Sequence, residues 1–303
     1  MNRPRDRFRP ADYPPERLVA CLGVIADSHV SERLSALPPA LFEALRGVDQ
    51  ILHAGDLSEC WVLDHLGRIA PVKAVQGNDE TGAAQNLPTQ KHFSIAGRCI
   101  LLIHGHYPDR AEEIASRLDD RWAPKLAYRA ELGHHAGASV VIFGHIHIPL
   151  AVEYDGLLLI NPGAIAAASG ATRQRRQTVA LLYVRDDGAV APVHLDLADL
   201  TRPHAPQIDW SVGYHVAHDA YHASILTPEL AVDFAFLRKQ PWWNSPEEGR
   251  PLWAAWYRAA RRCWSGEFPV LTRAIVLATV RADAAIPPSA LAHLERALSV
   301  PRG

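Results

Sequence analysis

Short apolar runs alternate with amphipathic stretches over most of the first two hundred residues. Short, mainly apolar runs that lead into a turn with Asp, Gly or His are typical of buried strands, and we predict strands at 18–26, 50–54, 72–75 and 140–143. Helical spacing appears between them, at 32–46, 57–69 and 111–118. Strand, helix and strand in succession indicate an α/β layered domain with a largely buried sheet.

Three later segments each contain a turn between two apolar runs. Ala96-Gly97 lies within 91–104, Asp155-Gly156 within 150–160, and Asp186-Asp187-Gly188 within 178–197. Such turns between alternating runs predict β-hairpins at the margins of the domain.

The composition changes after Thr201, where six of the eight tryptophans occur and helix signals dominate. Thr227-Pro228-Glu229 and Ser245-Pro246-Glu247 each place a capping residue before a proline suited to the first helical turn. We therefore predict a flexible N-terminal arm over 1–17, the α/β domain over 18–200, and a Trp-rich helical extension of unknown role over 201–303.

The overall charge and the cysteines exclude several classes of protein. The 303 residues carry a net charge of -2, so strong nonspecific binding to nucleic acid is not expected. The four cysteines are far apart and form no CxxC pair, which favours free thiols in a reducing compartment. The apolar run at 18–26 follows a charged, proline-containing segment, and no apolar run is long enough to span a bilayer. We expect a cytoplasmic protein with no membrane partner.

Histidine is unusually frequent, with 16 residues against four lysines, and many histidines follow predicted strands together with Asp or Asn. In an open α/β sheet the carboxyl ends of the strands line one crevice, so these groups should converge. They offer imidazole nitrogen and carboxylate or amide oxygen without thiolate, a mixture suited to Mn²⁺, Fe²⁺ or Zn²⁺. The groups are Asp27-Ser28-His29, Gly55-Asp56, Gly77-Asn78-Asp79-Glu80, His104-Gly105-His106 and Gly144-His145-Ile146-His147.

This ordered set of five motifs resembles that of the calcineurin-like metallophosphoesterases. The short Gly-Asn-Asp form of the third motif, together with His104-Gly105-His106 and with Asn161-Pro162-Gly163 after the hairpin at 150–160, is similar to the small bacterial and archaeal phosphodiesterase branch. The resemblance covers about residues 18–197, and each motif follows a predicted strand. It implies a four-layer αββα sandwich, to which the helical C-terminal extension is added.

The resemblance also implies a role for each matching residue. Asp27, His29 and His147 would hold one divalent ion, and Asn78, His104 and His145 a second. Asp56 would bridge the two ions, which would share a hydroxide that attacks phosphorus. We expect two metal ions, with Mn²⁺ favoured and Fe, Zn or Ni as alternatives.

One position departs from the family pattern. Many members have a histidine directly after the motif asparagine, where it contacts phosphate and protonates the leaving oxygen, whereas this chain has Asp79. An ionised carboxylate would repel a dianionic monoester more than a monoanionic diester, so a phosphodiester substrate is predicted. The candidate catalytic residues are Asp56, Asp79 and His106. His106 either replaces the family histidine as the acid that protonates the leaving oxygen or hydrogen-bonds a metal ligand.

The expected protein is thus a metal-dependent phosphodiesterase that acts on a small phosphodiester, with nucleic acid as a less favoured substrate and a homo-oligomer compatible with the sequence. Two alternatives remain open. A eukaryotic retromer subunit uses this fold as a protein-interaction scaffold, and the Trp-rich extension could stack bases in a nuclease for single-stranded ends. His215, His218 and His222 share a helical face and are expected to serve packing or the surface.

Overall fold

The computed structural model describes residues 3–300, which divide into two compact units. Unit 1 runs to Ala168 and includes Gln174–His222. Unit 2 contains Ser169–Arg173 and the chain from residue 223 onward. The change of unit thus occurs near residue 222, whereas the sequence predicts a boundary near 200.

Unit 1 contains a six-stranded sheet with the order β12-β11-β10-β1-β2-β3. Strands β1, β2 and β3 are parallel, as the strand-helix-strand pattern predicts, and β10 pairs antiparallel with β1. The strands of this sheet are β1 (Leu18–Ile25), β2 (Gln50–His53), β3 (Val72–Ala74), β10 (Thr178–Arg185), β11 (Val190–Asp196) and β12 (Asp199–His204).

A second sheet of five strands has the order β4-β5-β6-β8-β7. Its central strands β5, β6 and β8 are parallel, and the predicted hairpins form β4 with β5 and β7 with β8. The strands are β4 (Gln90–Ile95), β5 (Arg98–Ile103), β6 (Val140–Ile142), β7 (Pro149–Tyr154) and β8 (Leu157–Pro162).

The two sheets pack face to face. Alternate residues of each strand point to opposite faces of its sheet, and the side chains on the two inner faces form a shared core. Leu22 and Val24 of β1 share one apolar core with Ile100 and Leu102 of β5. The outer face of the first sheet packs against helices α2 (Pro39–Ala44) and α3 (Trp61–Gly67), and that of the second against α5 (Trp122–His135) and α6 (Tyr214–Tyr221). These four layers confirm the predicted αββα sandwich.

Two predicted helices are shorter than expected. The pattern at 32–46 gives only α2, which begins at Pro39, and residues 31–38 form a loop. Proline fixes its own backbone and disfavours helix in the preceding residue, so Pro38-Pro39 delays the helix start. The helix predicted at 57–69 begins at Trp61, and that at 111–118 is α4 (Arg110–Leu118).

The predicted flexible arm is packed in its described part, from residue 3 onward. Phe8 and Tyr13 are each 6% exposed and belong to the core beneath the first sheet. The segment contains helix α1 (Pro4–Arg7) and a 3₁₀ helix (Pro15–Arg17), and the Tyr183 hydroxyl donates to the Arg5 carbonyl at 2.9 Å. The two aromatic side chains among the arginines provide the apolar area that holds this segment.

Unit 2 is helical and packs around its own apolar core, which includes Leu252, Trp256 and Leu294. The chain passes from one unit to the other within each of two short strands, β9 (Thr172–Gln174) and β13 (His222–Ser224). The helices of unit 2 are α7 (Pro228–Leu237), α8 (Gly249–Trp264), α9 (Arg273–Arg281) and α10 (Pro288–Ser299), together with a 3₁₀ helix (Trp242–Asn244). A further 3₁₀ helix, Gly82–Asn86, belongs to unit 1. Within residues 3–300, no helix combines the length and apolar character needed to cross a membrane.

Candidate metal centre

All seven predicted metal ligands lie in loops that follow strands, and the structure brings them together at one edge of the two sheets. Their backbones are unusual, because non-glycine residues rarely adopt positive φ and such residues cluster at functional sites. Five of the seven do so: Asp27 (φ 54°), His29 (φ 41°), Asp56 (φ 56°), His145 (φ 71°) and His147 (φ 57°).

The glycines of the motifs allow these loops to approach one another. A Cβ on Gly77 would overlap the Asp56 carboxylate, and a Cβ on Gly55 would lie 2.8 Å from Nδ1 of His104. Gly55 also has φ +87°. Glycine is therefore required here by close contact as well as by backbone conformation.

The Glu80 carboxylate joins two of the loops. It accepts the backbone N–H groups of Ser58 at 2.7 Å and Leu57 at 3.2 Å, and that of Gly77 at 3.0 Å. Burial raises the pKa of Glu80, while these backbone donors act in the opposite direction. The contacts fix the loop that carries Asp56 against the loop that carries Asn78.

One group of donors consists of Asp27, His29 and His147, all buried, with ligand atoms within 4.8 Å of one another. Nε2 of His147 lies 3.2 Å from Oδ1 of Asp27, and Nε2 of His29 lies 3.9 Å from the same oxygen. The backbone N–H of His145 donates to both oxygens of Asp27, to Oδ2 at 3.0 Å and to Oδ1 at 3.3 Å. The carboxylate thus holds a neighbouring loop while its Oδ1 also faces two imidazoles.

A second group lies around Nε2 of His104. This nitrogen is 3.2 Å from Oδ2 of Asp56, 3.1 Å from Oδ1 of Asn78 and 3.3 Å from Nδ1 of His145. Oδ2 of Asp56 also lies 3.6 Å from Nε2 of His29, while Oδ1 accepts the backbone N–H of Asp79 at 2.8 Å. Asp56 therefore lies between the two groups, where a bridging carboxylate belongs.

The donors fit divalent cations because the outer nitrogens of three rings have oxygen partners. Nδ1 of His104 is 2.8 Å from the Ala54 carbonyl, Nδ1 of His147 is 3.2 Å from the Ala166 carbonyl, and Nε2 of His145 is 2.8 Å from the Glu113 carboxylate. Donation to those oxygens leaves the inner nitrogen of each neutral ring as a lone pair. Lone pairs and carboxylate oxygens that face one another in a buried space are stabilised by a cation or a proton between them.

In the Asp56–His104 pair, a proton on His104 supplies positive charge that a bound cation would replace. Burial alone would lower the pKa of His104, but the facing Asp56 carboxylate raises it to about 10. Burial alone would raise the pKa of Asp56, but His104 and His29 hold it well below its usual value. Burial lowers the pKa of His145 to about 4 and that of His29 well below 6.5, so these rings are neutral donors at pH 7.

Glu113 on α4 is a functional candidate that sequence reasoning missed. It is 5% exposed, and its carboxylate contacts Nε2 of His145 at 2.8 Å and Nε of Arg117 at 2.5 Å. Burial raises the pKa of Glu113, but His145, Arg117 and the backbone N–H of Tyr107 together outweigh burial and lower it. A carboxylate on the outer nitrogen orients a ligating histidine and increases its basicity.

Arg33 is the second residue that sequence reasoning missed, because it lies in a segment predicted as helix. Its side chain is 4% exposed, and NH2 donates to Oδ2 of Asp79 at 2.6 Å. NH1 lies 2.9 Å from Nε2 of His29 and from the carbonyl of Ala167. No periodicity or motif indicates a buried arginine at this position.

Asp79 and His106, the predicted catalytic residues beside Asp56, have different surroundings. Both oxygens of Asp79 accept hydrogen bonds, Oδ1 from the Asn78 amide at 2.8 Å and Oδ2 from Arg33. The His106 ring lies 5.4 Å from that of His104, and its Nδ1 has no hydrogen-bond partner within residues 3–300. Burial lowers the pKa of His106.

Two further histidines lie near the site. His53 is fully buried with Nε2 3.1 Å from Oγ of Ser28, and burial lowers its pKa to about 4. His222 stacks on His218 at 4.1 Å between ring centroids, and its ring lies 6.0 Å from that of His147. The third histidine of that face, His215, is exposed and close to Asp120.

The sequence profile of the calcineurin-like phosphoesterase superfamily domain matches residues 21–187. A probable metallophosphoesterase of Methanothermobacter thermautotrophicus is 39% identical over 143 residues, which are 47% of this chain and 76% of the relative. The probable metallophosphoesterase YsnB of Bacillus subtilis is 30% identical over 166 residues, 55% of this chain and 85% of YsnB. Among solved structures, a Vps29 single mutant from Entamoeba histolytica is 22% identical with a TM-score of 0.41, covering 58% of this chain and 98% of its own. On the profile match and these identities, the chain belongs to the calcineurin-like phosphoesterase superfamily.

Proposed function

We propose that the protein is a metal-dependent phosphodiesterase with two divalent ions. One ion would be held by Asp27, His29 and His147, and the other by Asn78, His104 and His145. Asp56 would contact both ions. The observation that carries the proposal is the position of Oδ2 of Asp56, 3.6 Å from the first group through His29 and 3.2 Å from the second through His104.

Two bound ions would supply a water of lowered pKa as nucleophile and neutralise charge that develops on the phosphoryl group. The chain contributes rigidity, because the ligands are fixed by backbone contacts such as Asp79 N–H to Asp56 and His145 N–H to Asp27. It also excludes water from the ligands, since Asp27 and His29 are fully buried. Such preorganisation is the main protein contribution to phosphoryl transfer.

The preference for a diester rests on Asp79. Its side chain is 35% exposed and adjoins Asn78, so it faces the side of the site open to substrate. A carboxylate there disfavours the second negative charge of a monoester. A small phosphodiester is the proposed substrate class.

Nitrogen and oxygen donors without thiolate suit Mn²⁺, with Fe, Zn or Ni as the other fitting ions. None of the four cysteines belongs to a group of candidate ligands found within residues 3–300. This donor set argues against a site specialised for soft metals.

The test compares protein loaded with Mn²⁺ on bis(p-nitrophenyl) phosphate and on p-nitrophenyl phosphate, with metal content measured on the same sample. We expect two ions per chain and a higher kcat/KM for the diester. Faster hydrolysis of the monoester contradicts the substrate class. Fewer than one ion per chain, with neither ester hydrolysed, contradicts the enzyme and favours the protein-interaction scaffold.

His106 is the proposed proton donor to the leaving oxygen. A p-nitrophenolate leaving group needs no proton, whereas an alkoxide does, so H106Q should lower kcat for an alkyl diester about 10²-fold and hardly change that for the bis-p-nitrophenyl ester. Equal losses on both substrates would assign His106 to positioning instead.

A further inference from the structure

Arg33 places a buried positive charge directly beside a proposed metal ligand. NH1 of its guanidinium is 2.9 Å from Nε2 of His29 and also lies 2.9 Å and 3.1 Å from the carbonyls of Ala167 and Ala168. A cation at this position repels a metal ion and competes for the lone pair of His29. A residue that served metal binding alone would not carry that charge.

Asp79 holds the guanidinium in place. Its Oδ2 accepts from NH2 of Arg33 at 2.6 Å, and its Oδ1 accepts from the amide of Asn78 at 2.8 Å. The carboxylate therefore links Arg33 to a proposed ligand of the second ion. Arg33 contacts His29 of the first donor group directly. It is linked to Asn78 of the second donor group through Asp79.

We propose that Arg33 is a phosphate-binding residue, which donates an N–H to a non-bridging oxygen of the phosphodiester, and that Asp79 positions it. The inference rests on the proposed function and adds to it the group that meets the substrate anion. A guanidinium is suited to this task because its planar N–H groups match the oxygens of phosphate.

The two N–H bonds of NH1 face three acceptors, namely Nε2 of His29 and the carbonyls of Ala167 and Ala168. Nε2 of His29 has one lone pair, so it cannot accept from Arg33 and ligate an ion at once. A phosphoryl oxygen that binds NH1 therefore competes with the two carbonyls. Two carboxylates face the guanidinium, Asp79 at 2.6 Å and Glu32 at 3.6 Å, so the cluster carries one net negative charge, which suits a monoanionic diester better than a dianionic monoester.

Removal of the Arg33 side chain should not weaken the affinity for Mn²⁺ but should weaken the affinity for phosphate. R33A should bind Mn²⁺ as tightly as the parent protein or up to about fivefold more tightly, because the competing cation is lost. The same variant, loaded with Mn²⁺, should bind inorganic phosphate about 10- to 100-fold more weakly, because a charge-assisted hydrogen bond is lost. A residue with a merely structural role would weaken both affinities.

Calorimetric titrations of the full-length chain measure both affinities. R202A is the matched control, because Arg202 is an arginine of the same unit with an 81% exposed side chain. R33K should keep part of the phosphate affinity, since it retains the charge without the fork of donors. D79N should weaken the binding of phosphate, because both oxygens of Asp79 accept hydrogen bonds and the new NH2 group would face a donor, which disturbs the position of Arg33.

Unchanged phosphate affinity in R33A overturns the inference, and so does a parallel loss of Mn²⁺ and phosphate binding in a folded variant. If R33A does not fold, R33Q gives the same two measurements with most of the side-chain volume kept. Neither titration requires turnover. A parent protein that hydrolyses no diester would thus contradict the proposed function, while phosphate binding still decides the role of Arg33.

Discussion

The two units of the chain differ sharply in how they use polar residues. Unit 1 contains fifteen of the sixteen histidines, and unit 2 contains five of the eight tryptophans. Buried polar side chains are numerous in unit 1, whereas Asp233 is the one buried polar side chain in the described part of unit 2. Its carboxylate pairs with Arg273 at 2.5 Å.

The backbone shows the same contrast. Within residues 3–300, every non-glycine residue with positive φ belongs to unit 1, and five of the eight are proposed metal ligands. Strained backbone and buried charge each cost stability, and proteins keep them mainly where function needs them. Unit 1 thus contains the candidate site together with these destabilising features, while unit 2 follows ordinary rules of apolar helix packing.

The sharpest test of this contrast is D56N, which preserves shape and removes the charge that lies between the two donor groups. We expect fewer than one Mn²⁺ per chain and a loss of diesterase activity on the order of 10³-fold. Metal analysis after dialysis and initial rates on the bis-ester measure both effects. The secondary structure should not change, because the Asp79 N–H can still donate to the amide oxygen.

D49N is the control for D56N, because Asp49 is a partly exposed carboxylate of unit 1 that contacts Arg5 rather than the site. It should bind Mn²⁺ as the parent protein does. Normal metal content in D56N would show that the bridging position has been assigned to the wrong residue.

The converse change is L252A in unit 2. Leu252 is fully buried in the core of α8, so its truncation should lower the free energy of unfolding by about 3 kcal/mol through lost transfer energy and the cavity. Because every proposed ligand belongs to unit 1, Mn²⁺ affinity below the melting transition should not change. Urea unfolding and calorimetry measure the two quantities.

V232A is the matched control for L252A, since Val232 is 41% exposed on α7 of the same unit. Its effect on stability should stay within about 0.5 kcal/mol. A loss of Mn²⁺ affinity in folded L252A would contradict the division of labour between the units.

A smaller effect is expected from E113Q, which weakens the support of one ligand without removing any. The amide cannot increase the basicity of His145 as the carboxylate does, so Mn²⁺ affinity should fall about 10- to 100-fold. E112Q changes the exposed neighbour of Glu113 on the same helix and should bind Mn²⁺ normally. Equal affinities of the two variants would show that the contact between Glu113 and His145 does not support metal binding.

The sequence predicts the elements that follow simple periodicity and the residues that follow strands. The strands of the sandwich, the three hairpins and the convergence of Asp27, Asp56 and His104 all depend on local patterns and on the geometry of parallel sheets. The four-layer arrangement came from the family resemblance, since periodicity does not show which sheet faces which.

The residues that were missed depend on contacts distant in sequence. Glu113 is one of several acidic residues on an amphipathic helix, and only the packing of α4 directs it to His145, 32 residues away. Arg33 reaches Asp79 across 46 residues from a loop that the pattern predicts as helix. Phe8 and Tyr13 looked like part of a polar arm because the arginines around them dominate the local composition.

The smallest expected effect concerns acid sensitivity, which should come from unit 1 because that is where the buried histidines are. His194 is not one of the proposed ligands, its Nε2 is 2.8 Å from the Asn161 carbonyl, and burial lowers its pKa from 6.5 to about 4. Between these values the unfolded chain binds a proton that the folded protein does not, so stability falls as pH decreases. In metal-free protein, the stability advantage of the parent over H194Q should shrink by about 1 kcal/mol from pH 7 to 5.5. H135Q alters an exposed histidine and should show the pH dependence of the parent. A stability difference between the parent and H194Q that stayed constant from pH 7 to 5.5 would contradict a neutral buried ring at His194.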